Sequence, residues 1–437
     1  MVTALTPLSV DRMVGRICDE LLATAVVAEG EATWLSPWPG ENAPVRLRTG
    51  DPTIYSGSAG IALACLEVGL ATGHDEMVEL ALAAARHAVR RGGDLPSPGL
   101  HDGRAGVGLS ALAVGTAAAD SNLAAAGGAM LDDACAAAQI ADDVIGGGAG
   151  VLVGCVRAAE IAGPARWLDR AAPIAAGLVE RAVRRPWGWS WPASGCGPVG
   201  LCGLAHGSAG VAWALAEYLL ALGSAPGGIT GPAGGAADGV MEAVARACQY
   251  ERSWFDPRSS GWPDLRDRMD RSDKPPLPSA WCHGAVGIGV SRLVIGRVDP
   301  PADMTAAGEL AAALLGAVDA AETRLRGMDL PSGLTQCHGL GGTVDLLLDA
   351  SVEQQEPAHR ASAAWIAERA LDVLGADVAS WPGGFRGVPA PGLMDGLSGT
   401  LVTLTRLAGD PARCTVGRLR LGVSGRRDSA GGVVPAS

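Results

Sequence analysis

A four-residue glycine element recurs seven times along the chain, and no other feature restricts the fold as much. The copies are Gly57-Ser-Ala-Gly60, Gly103-Arg-Ala-Gly106, Gly147-Gly-Ala-Gly150, Gly207-Ser-Ala-Gly210, Gly284-Ala-Val-Gly287, Gly339-Leu-Gly-Gly342 and Gly396-Leu-Ser-Gly399. Their spacing runs from 44 residues (Gly103 to Gly147) to 77 residues (Gly207 to Gly284). Each opens an apolar run such as Ile61-Ala-Leu-Ala-Cys-Leu or Val211-Ala-Trp-Ala-Leu-Ala. In a chain with 63 glycines a single copy would mean little. Seven copies in phase with apolar runs mark internal repeats, which must be recognised before any other fold reasoning.

Between the copies, leucine and alanine return at helical spacing over 75–91, 165–184, 239–250 and 361–374. Each period therefore predicts one amphipathic outer helix and one glycine-initiated inner helix. Glycine at an inner helix start lets backbones crowd together and leaves the first amides accessible. Arranged as a ring, the seven starts face one mouth. The tryptophan-bearing stretches at 186–192 and 252–278 predict ordered loops around it. A chain of 437 residues could form two or three domains, but a closed ring uses such a length as one unit. Residues 1–422 are read as one domain, and residues 423–437, with Gly, Ser and two arginines, as a disordered tail.

Hydrophobic residues make up 48% of the chain and aromatic residues only 4%, which suits closely approaching helices around a large core. A net charge of −12 supplies no basic stripe for a phosphate backbone and argues against nucleic acid as a partner. The opening segment carries Asp11, Arg12, Arg16, Asp19 and Glu20, so neither a signal peptide nor a membrane anchor is expected there. No later stretch has the length of a membrane span. Ten cysteines without short regular spacing do not form a secreted disulfide framework, and a reducing cytoplasm is the expected compartment.

Three consecutive copies carry the residues suited to chemistry: Leu204-Ala-His206-Gly, Trp281-Cys282-His283-Gly and Gln336-Cys337-His338-Gly. Two thiolates and one imidazole form a common donor set for zinc, and three protein ligands leave a fourth position open. On residue type alone, His283 and His338 are equal candidates for the imidazole. The alternative for Cys282 and Cys337 is that they are small apolar core residues, but paired Cys-His-Gly triplets at equivalent repeat positions weigh against it. His206 competes with a core histidine bonded to a carbonyl. Asp143 competes with a helix N-cap, as do Asp102 and Asp395. Cys18, Cys65, Cys135, Cys155, Cys196, Cys202, Cys248 and Cys414 are read as packing residues, and His101 is assigned no function.

Over about residues 51–407 the chain resembles the lanthionine synthetase C-like cyclases, most specifically in Gly203-Leu-Ala-His-Gly-Ser-Ala-Gly210, Ala280-Trp-Cys-His-Gly284 and Cys337-His-Gly339. The resemblance implies an all-α, (α/α)7 toroid with zinc on Cys282, Cys337 and His338, leaving His283 outside the ligand set. It places Asp143, in Asp143-Val-Ile-Gly-Gly147, at the family's catalytic aspartate, and His206 at its active-site histidine. The implied reaction is zinc-dependent addition of peptide cysteine thiols to dehydroalanine or dehydrobutyrine, which closes lanthionine or methyllanthionine rings. The implied partners are a dehydrated precursor peptide and a separate dehydratase or kinase/lyase enzyme.

Gly261-Trp-Pro-Asp-Leu-Arg266 and Pro278-Ser-Ala-Trp-Cys-His-Gly284 are closer to the cyclase domains of two-part synthetases. Free-standing relatives often carry arginine where this chain has Pro278, a departure that bears on substrate contacts. Three rival readings remain. Glutathione addition to dehydroamino acids in proteins uses the same thiol chemistry. A non-catalytic peptide-binding scaffold would retain structural zinc. An (α/α)6 glycosidase would need paired carboxylates at its mouth and leaves the Cys/Cys/His set without a role.

Overall fold

The computed structural model describes residues 9–38, 46–193, 200–224, 235–266, 277–298, 306–384 and 386–422. The first half of the chain forms helices α1 (Val10–Thr24), α2 (Ser58–Thr72), α3 (Asp75–Gly92), α4 (Arg104–Ala117), α5 (Ser121–Ala136), α6 (Gly148–Ala162) and α7 (Pro164–Arg181). The second half forms α8 (Ser208–Ser224), α9 (Gly235–Arg252), α10 (Ala285–Ile295), α11 (Ala306–Gly327), α12 (Gly341–Glu353), α13 (Pro357–Leu374) and α14 (Leu397–Ala408). The even-numbered helices touch in sequence around a circle, and α14 closes it by packing on α2. The odd-numbered helices lie outside them, giving an all-α toroid of outer and inner helices.

Sequence explains the two layers. In α7 the buried residues are Trp167, Leu168, Ala171, Ile174, Ala175 and Leu178, a single apolar stripe of the kind an outer helix needs. In α2 every residue from Ser58 to Gly69 is buried, as expected of a helix surrounded on all sides. Each large aliphatic side chain buried in this way contributes roughly 1.5–3 kcal/mol. The outer partner of α14 comes from the other end of the chain, because α1 packs against it.

The second glycine of each repeat is required by close approach. A Cβ on Gly60, Gly106, Gly150, Gly210, Gly287 or Gly399 would strike the carbonyl oxygen of Ile54, Leu100, Val144, Leu204, Trp281 or Leu393, respectively, six residues upstream. Gly342 stands in the same relation to Gln336. The segment before each inner helix is thus folded tightly back over the helix start.

These folded-back segments are joined by a closed circle of backbone hydrogen bonds. The amide of Tyr55 donates to His101 O (2.9 Å), His101 to Ile145 O (3.0 Å), Val144 to Ala205 O (3.0 Å) and Ala205 to Cys282 O (3.1 Å). Trp281 then donates to Cys337 O (3.1 Å), Cys337 to Met394 O (2.9 Å), and Met394 back to Tyr55 O (2.9 Å). All seven inner helices therefore begin at the same end. Their positive dipole ends point toward that end together.

Farther along the inner helices, the chain after α14 enters the axis of the toroid. The turn at 415–420, closed by the Thr415–Arg420 bridge, lies among several inner helices. Gly417 N donates to Asp345 Oδ2 of α12 (2.9 Å), Gly417 O accepts from the Trp281 indole (3.0 Å), and Arg418 O accepts from Arg157 Nη2 of α6 (3.1 Å). Ion pairs surround the turn: Arg157 with Glu217 (2.6 Å) and Arg406 with Asp349 (2.6 Å) and Asp345 are buried, and Arg418 with Glu353 (3.2 Å) is half-buried.

The stretch expected as a tryptophan-rich loop forms a hairpin of Val183–Arg185 with Gly188–Ser190. Trp191 is buried beside it and donates its indole N–H to Leu178 O of α7 (2.8 Å). In the 252–278 stretch, Trp262 is fully buried, and residues 267–276 lie outside the described residues. The expectation of a disordered tail at 423–437, and Cys196, also lie outside them. Among the described residues no helix is long and apolar enough to cross a membrane.

Candidate metal centre

The hydrogen-bonded circle places equivalent side chains on neighbouring repeats. Two positions before the first glycine stand Tyr55, His101, Ile145, Ala205, Cys282, Cys337 and Met394. One position before it stand Ser56, Asp102, Gly146, His206, His283, His338 and Asp395. The fifth and sixth repeats are adjacent through α10 and α12, so their cysteines are brought together.

Cys282, Cys337 and His338 form a compact group whose ligand atoms all lie within 4.8 Å of one another. Cys282 Sγ is 3.4 Å and Cys337 Sγ 3.9 Å from His338 Nε2. Ligands bonded tetrahedrally to zinc at about 2.0–2.3 Å stand roughly 3.5–3.8 Å apart, so this donor set fits zinc in both chemistry and spacing. Both cysteines are buried, whereas His338 is exposed, which leaves one side of the group facing outward. The hydrogen bond from Cys337, followed by His338, holds the Cys282 thiol well below its ordinary value despite burial. Burial and then the neighbouring Cys282 push Cys337 well above its ordinary value.

His283, the other candidate imidazole, is not part of this group. It is buried, its Nδ1 has no hydrogen-bond partner among the described residues, and burial depresses its pKa. Local backbone packing accounts for the tight placement. Gly203 has φ +99°, and a Cβ there would lie 2.8 Å from Cys282 O and 2.9 Å from His283 Cα. Gly284, at φ +88°, would carry its Cβ into the carbonyl oxygen of Pro278.

His206 is partly exposed beside this centre, and its Nδ1 is 2.7 Å from Asp143 Oδ2. The rings of His206 and His283 are 6.4 Å apart. Asp143 uses its other oxygen to accept from Gly146 N at 2.8 Å. It therefore closes the local turn and meets His206 with one carboxylate, while the N-cap of α6 is Gly147. Burial alone would lower the His206 pKa, but the hydrogen bond and charge of Asp143, with a further contribution from Cys282, raise it overall.

Asp102 and Asp395 do not cap their helices either, since the N-caps are Gly103 and Gly396 without side-chain bonds. Asp102 accepts from Ser97 Oγ (2.7 Å) and Asp395 from Ser56 Oγ (2.6 Å). Burial raises Asp395 to about 6.

Residue types alone did not single out two further neighbours of the centre. Tyr55 lies close enough to the Cys337 thiol to lower that thiol's pKa, and burial raises its own. Its position in the first repeat, equivalent to that of the cysteines, was the available signal. Arg266, paired bidentately with Asp264, is close enough to lower the pKa values of His206, His283 and His338. No repeat position marks it, because it arrives from a connecting loop.

A family profile described as lanthionine synthetase C-like protein matches residues 48–412. Among solved structures, nisin cyclase is similar at TM-score 0.57 and 17% identity, over 85% of this chain and 92% of that one, a likeness in fold. An inactive α-1,6-mannanase variant of Salegentibacter sp., bound to α-1,6-mannotriose, aligns at TM-score 0.43 and 10% identity, over 92% of this chain and 99% of that one. That score is too low to carry an argument. No curated protein matches the sequence.

Proposed function

Because the chain belongs to the lanthionine synthetase C-like family, we propose that it closes thioether rings by adding peptide cysteine thiols to dehydroalanine or dehydrobutyrine. The observation that carries this reading is the Cys282–Cys337–His338 group lying beside a His206–Asp143 pair. One part suits thiol activation, the other proton transfer.

A zinc ion held by Cys282, Cys337 and His338 would supply the acidity that a peptide thiol, with an ordinary pKa near 8.5, lacks at neutral pH. With two cysteines as ligands, such a site would carry enough negative charge to leave a substrate thiolate nucleophilic. The sulfur then bonds to the β-carbon of the dehydroamino acid, and the electron pair of the C=C bond moves toward the α-carbon and its carbonyl. His206, in its protonated form, would return a proton to the α-carbon, while Asp143 would orient the ring and stabilise its charge. The sum is addition of S–H across a double bond, with no redox change and no group lost. Dehydration of serine or threonine is a different reaction and is assigned to a separate partner enzyme.

The test uses a dehydrated peptide that carries one cysteine and one dehydroalanine. Ring closure leaves its mass unchanged and abolishes labelling by a thiol-alkylating reagent. Unaltered labelling with zinc-loaded protein would overturn the cyclase reading. A zinc-bearing scaffold would leave the peptide untouched. If the cyclase fails and glutathione is added to the same peptide in its place, the external-thiol activity takes precedence.

A further inference from the structure

Outer helix α5 and inner helix α6 bring two cysteines together well apart from the metal-ligand set. Cys135, next to the last residue of α5, and Cys155, in the body of α6, have their Sγ atoms 3.3 Å apart in a thiol–thiol hydrogen bond. We propose that Cys135 and Cys155 form a redox-active dithiol, which closes to an intramolecular disulfide using a low-molecular-weight disulfide such as oxidised glutathione as oxidant.

The two thiols differ in the ways this chemistry requires. Cys155 is fully buried, whereas Cys135 is partly exposed and open to a small reagent. The hydrogen bond from Cys155 favours the Cys135 thiolate against burial and Asp132, with Arg170 assisting. Arg170 pairs with Asp132 at 3.0 Å. Exchange reactivity follows thiolate character and access, and both single out Cys135 as the attacking sulfur. Because Cys135 lies at the very end of α5, small side-chain and helix-end adjustments are enough to bring the sulfurs to bonding geometry.

The steps balance. The Cys135 thiolate attacks one sulfur of the external disulfide, whose S–S bond breaks and releases the first small thiol. Cys155 gives up its proton and attacks the Cys135 sulfur of the resulting mixed disulfide, releasing the second. The protein loses two electrons and two protons, and the oxidant becomes two thiols. The new bond would tie α5 to α6 on either side of the connection that carries Asp143 and the Asp142–Arg181 ion pair. Neither zinc nor ring closure enters this chemistry, so it succeeds or fails independently of the catalytic proposal.

The experiment exposes the full-length, zinc-loaded protein to buffers of increasing oxidised-to-reduced glutathione ratio, followed by acid quenching, alkylation and peptide mapping. The expected result is a peptide pair linked through Cys135 and Cys155, two hydrogens lighter and restored by dithiothreitol, with zinc content unchanged. Cys155→Ser should halt at a glutathione adduct on Cys135, and Cys135→Ser should take up no glutathione at Cys155. A wild-type adduct persisting on Cys135, no link in the most oxidising buffer, or a link confined to Cys282 and Cys337 would each overturn the proposal.

Discussion

The imidazole of His206 and the carboxylate of Asp143 meet at 2.7 Å across a sequence separation of 63, joining the fourth glycine turn to the third. Neither residue belongs to the compact sulfur–nitrogen group, so the proposed proton transfer and the proposed metal binding can be tested separately by mutation.

His206→Asn should retain zinc and lose ring closure. A general acid or base contributes about 10²- to 10⁴-fold in rate, roughly 3–5 kcal/mol of barrier. Metal content by mass spectrometry, together with thiol alkylation during turnover, checks both halves. Loss of zinc would make His206 a ligand, and near-normal closure with zinc retained would make it a packing residue.

Asp143→Asn should move the pH profile. In the wild type the raised His206 pKa keeps the imidazolium present below that pKa, and it is lost as pH rises through it. Removing the carboxylate charge lowers this pKa, so the alkaline limb of kcat/KM should shift to lower pH. Asn preserves the turn-closing acceptor for Gly146 N, so thermal stability should change little. A large stability loss with an unmoved profile would assign Asp143 to structure alone.

The purified protein should hold about one zinc per chain, as a single three-ligand site requires. Cys282→Ala, Cys337→Ala and His338→Ala should each deplete it, whereas His283→Ala should retain most of it. Retention in His338→Ala with depletion in His283→Ala would reverse the choice of imidazole.

Gly210→Ala should destabilise by about 1–3 kcal/mol, the usual cost of forcing atoms into a filled space, because the added methyl meets the Leu204 carbonyl. Gly223→Ala, on the same helix but in open space, serves as the control and should be neutral to stabilising by about 0.5–1 kcal/mol. Equal melting temperatures for the two variants would remove the close-approach argument.

Glu217→Ala should cost about 3–5 kcal/mol, since it leaves the fully buried Arg157 without its closest carboxylate. Although burial opposes it, the charges of Arg157 and Arg418 bring Glu217 down to about 2. Its stabilising contribution is therefore present above the ordinary carboxylate range and lost as pH falls toward 2. The wild-type advantage over Glu217→Ala in thermal denaturation should narrow between pH 5 and 2.

The ring of helices was legible because its glycines answer a local steric demand that repeats with the fold, so Gly60 and Gly399 report the same constraint 339 positions apart. The pairing of Cys282 with Cys337 was legible for a related reason, since a repeat makes distant residues equivalent, whereas the choice of His338 came only from the family resemblance. Where no repeat position applied, the sequence was silent. The tryptophans of the 252–278 stretch placed its loop at the mouth but did not mark Arg266 as the residue that nears the histidines, and nothing near Gly417 reveals that it reaches the Trp281 indole. The separation of His283 from His338 depends on side-chain direction, which identical Cys-His-Gly triplets do not encode. Cys135 and Cys155, read as packing residues, meet only because α5 and α6 do.

The turn at 415–420 makes the interior of the toroid a cul-de-sac. Under the proposed activity, a peptide that reaches the sulfur–nitrogen group would back out by the way it came, because the turn stands across the axis. Several rings on one precursor would then be made by repeated visits of short loops, with the length of chain between the two reacting residues limiting which loops reach the floor.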